Sequence, residues 1–311
     1  MSDLIKTPQI LNSKECPALS PKTHSQKLKT HTAQVGDKIT IRRALPHHDR
    51  KTIGAWCFLD HFGPLDLKNT SGLRVGPHPH IGLQTFTYPL AGEILHRDSL
   101  GSKQKIQRGQ VNLMTAGRGI SHSEESLPDS ILHGVQLWIA LPDAVRHMEA
   151  NFIHYDNIPT IKFDNLQINL LAGEFLNSVS PVKVYSPLIG LELNATNDAT
   201  CFLPLNPKFE HGILPLIGNI EVANEIVDID TLLYLSCGQS KIPVRMQKGS
   251  RVLIVGGEPF KEDILIWWNF VARTRDEMIK AANAWNNHTA FGEVEGFQGD
   301  RLTPPPCHDS K

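Results

Sequence analysis

Gly76-Pro77-His78-Pro79-His80-Ile81-Gly82 is the stretch from which the fold can be read. On a β-strand, residues i and i+2 point to the same face, so the imidazoles of His78 and His80 reach one side together. Pro79 between them has no N–H to give to a sheet ladder, which places such a strand at a sheet edge or beside a bulge. The stretch therefore predicts a strand, at a sheet edge or beside a bulge, whose two histidines can reach one metal ion.

The sequence around this stretch repeats one pattern from about residue 34 onward. Apolar runs of a few residues alternate with Gly, Pro, Asn or Asp, which is typical of many short strands joined by turns in a sandwich or barrel. The predicted strands are Lys38–Arg42, Trp56–Phe62, Leu83–Tyr88, Val111–Thr115, Gly134–Leu141, Leu166–Leu171, Val182–Ser186, Leu191–Asn194, Gly218–Val222, Leu232–Ser236 and Arg251–Val255. The fold class is therefore predicted as all-β.

Helical periodicity is confined to two places. Pro142 opens a short amphipathic segment through Ala150, and a longer segment from about Asp263 to Trp285 carries apolar residues at near-helical spacing. We expect the longer segment to be a C-terminal helix that packs against a barrel.

Two weak internal matches suggest a duplication. Pro89–Ile94 is similar to Pro215–Ile220, and Arg108–Gly117 is loosely similar to Lys248–Gly257. We therefore predict two related β-barrels in tandem. The expected order is a flexible N-terminal arm (1–33), a metal-binding barrel (34–155), a barrel without metal that carries the closing helix (156–295) and an extended, exposed tail (296–311).

Composition excludes several classes of protein. Lys and Arg number 31 against 32 Asp and Glu, so the chain lacks the basic excess typical of direct nucleic-acid binding. The most apolar run, Ile264–Ala272, is too short to cross a bilayer, and the N-terminus has no secretory-signal pattern. Five dispersed cysteines without a CxxC pair favour a reducing compartment, and we expect a cytoplasmic location.

A second pair of potential metal ligands follows in Thr115-Ala116-Gly117-Arg118-Gly119-Ile120-Ser121-His122-Ser123-Glu124. His122 and Glu124 repeat the i, i+2 spacing and add a carboxylate. Facing strands inside one barrel would combine them with the first pair into three imidazoles and one carboxylate, a set suited to Fe(II), Mn, Ni, Cu or Zn. The alternative is that His78 and His80 are polar residues on an exposed strand face.

These motifs resemble the pirin family of the cupin superfamily. The resemblance covers roughly residues 35–295 and is carried by Gly76–Gly82, Gly92–Gly101, Asn112–Glu124, Gln136–Trp138, Gly256–Phe260 and Trp267–Ala272. It implies two cupin (jelly-roll) barrels. It also implies one divalent metal ion, usually iron, held in the first barrel by His78, His80, His122 and Glu124.

The sequence departs from the common cupin pattern at Gln84, where many relatives carry Glu. The second barrel looks metal-free, because an offset of 126 residues puts Pro204 and Asn206 where the first two histidines would lie. Glu210-His211-Gly212 is its one residual candidate for a ligand pair, and we expect this barrel to close a mouth of the first.

The resemblance implies a dioxygenase that cleaves flavonols such as quercetin, with a small aromatic substrate and dioxygen as partners. Glu124 would be the catalytic residue, as ligand and acceptor of the flavonol hydroxyl proton. The alternative is a non-enzymatic iron and redox sensor that binds a transcription factor or a metabolic enzyme, since fold does not fix function. A cupin sugar isomerase or epimerase is a third class, but the sequence shows no set of cationic and hydroxyl-binding residues that would recognise a sugar.

Overall fold

Short strands account for most of the ordered backbone. The structure is a computed structural model and describes residues 8–16, 24–36, 39–68, 70, 72–126 and 131–306. In the first half of the chain the strands are β1 (Leu11–Asn12), β2 (Ser25–Lys29), β3 (His31–Val35), β4 (Ile39–Leu45), β5 (Trp56–Asp66), β6 (Arg74–His80), β7 (Leu83–Ala91), β8 (Glu93–Asp98), β9 (Lys103–Gln107), β10 (Val111–Thr115), β11 (Ile120–Ser126), β12 (Ile131–Ala140) and β13 (Asn151–Tyr155). In the second half they are β14 (Thr160–Phe163), β15 (Leu166–Ala172), β16 (Glu174–Phe175), β17 (Ser178–Val179), β18 (Leu188–Ala195), β19 (Ala199–Pro204), β20 (Glu210–Ile217), β21 (Ile220–Val222), β22 (Glu225–Val227), β23 (Thr231–Leu235), β24 (Lys241–Met246), β25 (Arg251–Gly257), β26 (Leu265–Trp267) and β27 (Phe270–Ala272). A 3-10 turn (Ser13–Glu15) and one helix, α1 (Arg275–Asn286), complete the described part of the chain.

Most strands form two barrels, each made of a seven-stranded and a four-stranded antiparallel sheet. The first barrel has the orders β13-β10-β7-β12-β5-β4-β3 and β6-β11-β8-β9. The second has the orders β14-β15-β18-β25-β20-β23-β2 and β19-β24-β21-β22. The predicted all-β fold of two barrels in tandem is confirmed.

The N-terminal strand β2 belongs to the second barrel. Read in opposite directions, the two large sheets have the same order, so that β7 corresponds to β20, β12 to β25 and β10 to β23. In the same correspondence β13 and β2 take equivalent edge positions, β13 beside β10 in the first barrel and β2 beside β23 in the second. The second barrel therefore takes one edge strand from the N-terminal part of the chain.

This correspondence decides between the two internal repeats. Pro89 and Pro215 both lie opposite a register irregularity near the ends of β7 and β20, so the match with an offset of 126 is structural. The second match aligned β10 with β25. The counterpart of β25 in the first barrel is β12, and the counterpart of β10 in the second barrel is β23. That second match is wrong, because similar turn-strand sequences occur on several strands of such a sheet.

The large sheets of the two barrels pack face to face. Their apolar side chains form one shared core, and the indole Nε1 of Trp56 lies 3.2 Å from the carbonyl oxygens of both Ile189 and Gly256. Gly54 approaches Gly257 so closely that a Cβ on Gly54 would lie 2.7 Å from the Gly257 Cα. The second barrel therefore contacts a sheet face of the first. The expectation that it closes a mouth of the first barrel is wrong.

The predicted C-terminal helix is present but much shorter than expected. Residues 265–272 form the β26–β27 hairpin, and α1 begins only after Thr274, whose side chain accepts from the Glu277 N–H as an N-cap. Trp268, with φ 51°, lies in the hairpin turn. Trp267, Trp268 and Phe270 are therefore not helical, and the segment predicted as a helix over Pro142–Ala150 consists of turns.

Both terminal segments are more ordered than predicted. Residues 25–33 of the expected flexible arm contribute to β2 and β3, while residues 1–7 and 17–23 lie outside the described part of the chain. The tail, described to residue 306, runs along the first barrel, where the Leu302 N–H donates to the Pro77 carbonyl and Pro304 is buried. The tail is extended as predicted, but it is not wholly exposed.

No helix within the described residues has the length and apolar character needed to cross a membrane. Cys16, Cys57, Cys201 and Cys237 are free thiols, and Cys307 lies outside the described residues.

Candidate metal centre

The His78–His80 strand lies at a sheet edge, as Pro79 predicts. It is β6, the outer strand of the small sheet in the first barrel, and its one ladder partner is β11. In this ladder His122 lies opposite His78, and Ile120 lies opposite His80. Because no strand pairs with the outer side of β6, the missing N–H of Pro79 leaves no hydrogen bond unmade there. The pairing with β11 brings the third histidine beside the first two.

The three imidazole rings form one closed group inside the barrel. His78, His80 and His122 are at most 1% exposed, and each offers one ligand atom within 4.8 Å of the other two. The ring centroids lie 4.4 to 5.0 Å apart. The residues are not on an exposed strand face, so the alternative weighed from the sequence is wrong.

A defined acceptor fixes the tautomer of each ring. Nδ1 of His78 donates to the Gly76 carbonyl at 2.8 Å, and Nδ1 of His80 donates to the Asn269 carbonyl at 2.9 Å. A carbonyl oxygen can only accept, so the proton of each ring sits on Nδ1 and the lone pair on Nε2.

His122 is oriented by a chain of two further side chains. His96 Nε2 lies 3.0 Å from Asp98 Oδ2, and His96 Nδ1 lies 3.3 Å from His122 Nδ1. The carboxylate accepts the His96 Nε2 proton, which leaves His96 Nδ1 as an acceptor for the His122 Nδ1 proton. The Nε2 lone pair of His122 is then also free.

The three Nε2 atoms consequently converge without protons between them. Nε2 of His80 and Nε2 of His122 are 3.1 Å apart, and Nε2 of His78 is buried without a hydrogen-bond partner among the described residues. Burial lowers the pKa of His78 to about 3, and burial and neighbouring histidines hold the pKa values of His80 and His122 well below the usual range. Three neutral imidazoles with facing lone pairs need a cation, so the donor set fits a divalent metal.

Glu124 lies on the same strand as His122 but outside this group of three. It is 2% exposed, its Oε1 lies 3.3 Å from the Thr87 hydroxyl, and its Oε2 is buried without a partner in the described residues. The Thr87 hydroxyl also lies 2.9 Å from Gln136 Oε1. Glu124 therefore has one unsatisfied carboxylate oxygen in the barrel interior, and its role as fourth ligand stays a prediction.

The Gln84 side chain does not approach the histidines. Its Nε2 donates to the Thr115 hydroxyl at 2.9 Å and to the Lys183 carbonyl at 3.1 Å, at the contact between the barrels. The residues of β7 that face the barrel interior are the alternate ones, including Thr85 and Thr87. The replacement of a Glu by Gln84 therefore removes no side chain from this site.

Several residues that orient the site could not be found from motifs. The Gly76 and Asn269 acceptors are main-chain atoms, and Asn269 lies 189 residues from His80. Asp98 does have a sequence signal, because its i, i+2 spacing from His96 follows the same strand rule that selected the ligands. In the structure Asp98 lies opposite His122.

Two aromatic rings separate the histidines from a cavity of about 820 Å³ between the first barrel, the N-terminal residues 8–11 and the β26–β27 hairpin. Trp138 packs edge-on against His80 with a centroid distance of 5.2 Å and stacks on Phe58 at 3.9 Å. Both rings belong to the wall of the cavity. Access from this cavity to the histidines requires the Trp138 ring to move.

The second barrel has no comparable histidine group among its described residues. Pro204 and Asn206 line a cavity there, whereas Glu210 and His211 project to opposite sides of β20. The Glu210 carboxylate accepts from the Gly54 N–H and the Tyr234 hydroxyl at the contact between the barrels. Glu210 and His211 thus cannot act as a pair on one ion.

Comparisons with known proteins agree with the two-barrel architecture. The Pirin family model matches residues 38–139, and the model of the pirin C-terminal cupin domain matches residues 190–292. A Pseudomonas aeruginosa protein that carries the name "putative quercetin 2,3-dioxygenase" is 44% identical over 311 residues, with 98% of each chain covered. A pirin-like protein of Caulobacter vibrioides is 35% identical over 255 residues, covering 79% of this chain and 87% of that one.

A solved structure is similar over almost the whole chain. The crystal structure of a quercetin 2,3-dioxygenase from Acinetobacter baumannii superposes with a TM-score of 0.91 at 47% sequence identity. The superposition covers 93% of this chain and 97% of that chain.

Proposed function

This chain belongs to the pirin family of two-barrel cupin proteins, and from that premise we propose that it is a metal-dependent dioxygenase that cleaves flavonols such as quercetin. The observation that carries the proposal is the set of three neutral histidines whose Nε2 lone pairs face one another in the buried interior of the first barrel. The names of the similar Pseudomonas and Acinetobacter proteins support the choice of substrate.

His78, His80 and His122 would hold the metal, with Glu124 as the fourth ligand. Iron(II) is our first choice, and Mn, Ni, Cu and Zn also suit nitrogen and oxygen donors. A bound divalent ion would supply Lewis-acid stabilisation of the deprotonated flavonol hydroxyl.

Glu124 would accept the proton of that hydroxyl on its unpartnered Oε2. The Thr87 hydroxyl lies 3.3 Å from the other oxygen, Oε1, and 2.9 Å from Gln136 Oε1, so its single proton is shared between these two acceptors. Both atoms of dioxygen would enter the opened ring product, and carbon monoxide would leave.

The surroundings of the site suit a flat aromatic substrate. Phe58 and Trp138 line the cavity of about 820 Å³ that leads toward His80, and Ile266 and Trp268 add further apolar surface. Movement of the Trp138 ring would admit one end of the flavonol to the histidines. Closure of the ring behind it would exclude water from the reacting anion.

The test is turnover by metal-reconstituted protein, followed as loss of flavonol absorbance together with oxygen consumption. We expect a Glu124→Ala, His122→Ala double variant to lose both signals, whereas Glu124→Gln keeps bound metal and loses rate. His24→Ala is the control, because His24 is an exposed histidine that does not belong to the lining of this cavity. Retained turnover in the double variant would contradict the proposal.

A protein partner and a cytoplasmic location stay predictions from the sequence.

A further inference from the structure

The second barrel contains a cavity of about 630 Å³ that the proposed dioxygenase chemistry does not use. The side chains of Ile189, Leu191 and Ile254 project into it from the large sheet, and Phe175 and Phe209 add two aromatic rings. A volume of this size and an apolar lining are typical of small-molecule sites.

One imidazole stands in this apolar wall. His211 is 2% exposed, and its Nδ1 is buried without a hydrogen-bond partner among the described residues. Burial lowers the pKa of His211 to about 4, so the ring is neutral near pH 7 and carries one N–H and one lone pair. A ligand with one polar group could hydrogen-bond to this ring through Nε2, because Nδ1 has almost no accessible surface.

Comparison of equivalent strand positions explains how the cavity arises. His211 pairs with Gly256 in the second barrel, at the place where Thr85 pairs with Trp138 in the first. A Cβ on Gly256 would lie 2.8 Å from His211 Cδ2, so the glycine makes room for the imidazole. The bulky indole that fills the first barrel at this point has no counterpart in the second.

The polar interior of the first barrel is also replaced. By the same correspondence, Ile213 takes the place of Thr87 and Ile254 takes the place of Gln136. At these two positions the second barrel has isoleucines where the first has hydrogen-bonding side chains, and of the uncharged polar side chains in the lining, His211 is buried whereas Ser186 and Asn206 are partly or fully exposed.

The charges around the cavity select against ions. Glu174 at the exposed rim is the one formally charged side chain among the lining residues, and none of them is Lys or Arg. An anionic ligand would lie near the Glu174 carboxylate with no Lys or Arg in the lining to balance its charge. A cationic ligand buried deep in the cavity would have no carboxylate beside it.

We propose that the second barrel is a metal-independent binding site for a neutral aromatic compound of about two rings with one hydroxyl group, which hydrogen-bonds to His211. The aromatic rings contact Phe175 and Phe209, and the hydroxyl donates to the imidazole. The site is separate from the three histidines, so its occupancy does not depend on the proposed dioxygenase activity.

The test uses metal-loaded full-length protein with isotopically labelled isoleucine methyl groups. 2-Naphthol is titrated in, and the expected result is saturable movement of the Ile189 and Ile254 signals with no movement of Ile120, which lies beside His80 in the first barrel. Naphthalene, which lacks the hydroxyl, should bind about three- to tenfold more weakly. 2-Naphthoate should bind more weakly still.

Two variants make the result specific. His211→Phe keeps the ring volume and should reduce 2-naphthol affinity to that of naphthalene, whereas His48→Phe should leave it unchanged. Leu205→Trp, at the partly exposed rim, should abolish both titrations by filling the cavity. Unmoved Ile189 and Ile254 signals, or equal 2-naphthol affinity in wild type and His211→Phe, would overturn the proposal.

Discussion

Nδ1 of His80 donates a hydrogen bond of 2.9 Å to the main-chain carbonyl of Asn269, a residue that the chain reaches only after the second barrel is complete. The acceptor lies in the turn of the β26–β27 hairpin, and Ile81 and Phe270 form a bridge beside it. Part of the metal centre in the first barrel is therefore oriented by a segment encoded beyond the second.

Replacement of Asp98 by Asn should weaken metal binding without removing a ligand. The Asp98 carboxylate holds the His96 tautomer, and His96 in turn orients His122. Loss of such a partner typically costs about 10- to 100-fold in metal affinity. Competition with a calibrated chelator measures this loss, and Asp143→Asn, a change at an exposed carboxylate, serves as the control. Unchanged affinity in Asp98→Asn would show that the His96–Asp98 pair does not support the site.

Replacement of Trp138 by Phe should speed the removal of metal by a chelator. The smaller ring keeps an aromatic contact with Phe58 but leaves a gap beside His80 on the route from the cavity. The extraction rate at fixed chelator concentration is the measurement. Trp56→Phe is the matched control, because Trp56 packs between the barrels and its loss should lower stability without opening this route. An equal rate in wild type and Trp138→Phe would indicate another route.

Gly54→Ala should destabilise the contact between the barrels. Gly54 has φ +53°, and a Cβ there would meet the Gly257 backbone at 2.7 Å. Strain and overpacking together should cost about 2–4 kcal/mol in the free energy of unfolding. Gly249→Ala separates the two effects, because Gly249 also has a positive φ but no atom within 4 Å of the new Cβ. In urea denaturation the free energy of unfolding should therefore fall less in Gly249→Ala than in Gly54→Ala. Equal decreases in the two variants would contradict the packing argument.

Acidification should destabilise the protein through its buried neutral histidines. Burial lowers the folded-state pKa of His133 and of His211 to about 4, below the value of 6.5 expected in the unfolded chain. Between these values the unfolded state binds more protons, so the free energy of unfolding falls as the pH falls from about 6.5 to about 4, by up to about 1.4 kcal/mol per pH unit for each group. The stabilisation is fully present above pH 6.5.

Urea titrations between pH 7.5 and pH 4.5, run with excess chelator, measure this slope without a contribution from metal release. His211→Phe should flatten the slope by the share of one group. A slope that is the same in wild type and His211→Phe would mean that His211 titrates normally.

Local sequence rules predicted the strands and the histidine group but not the distant contacts. Pro79 and the i, i+2 spacing of His78 and His80 were sufficient to predict an edge strand with both rings on one side, because strand periodicity is a local property. The hairpin at residues 265–272 was mistaken for helix. Trp267 and Val271 in this hairpin lie four residues apart and so fit a helical spacing, and the positive φ of Trp268 leaves no sequence signature.

The place of β2 was also not predictable from the local pattern. Residues 25–29 have no apolar periodicity of their own, and they pair with β23, a strand of the other barrel. The acceptor for His80 is a backbone atom 189 residues away, so the tautomer of that ring depends on tertiary structure.

The position of β2 in the second barrel also bears on how such a chain can be divided. A cut after β13 would leave the second half without the strand that covers β23. That fragment would carry an open sheet edge whose natural complement is in the other fragment, a template for aggregation or for re-association. The second barrel is therefore complete only when residues 25–29, from the opposite end of the chain, are present.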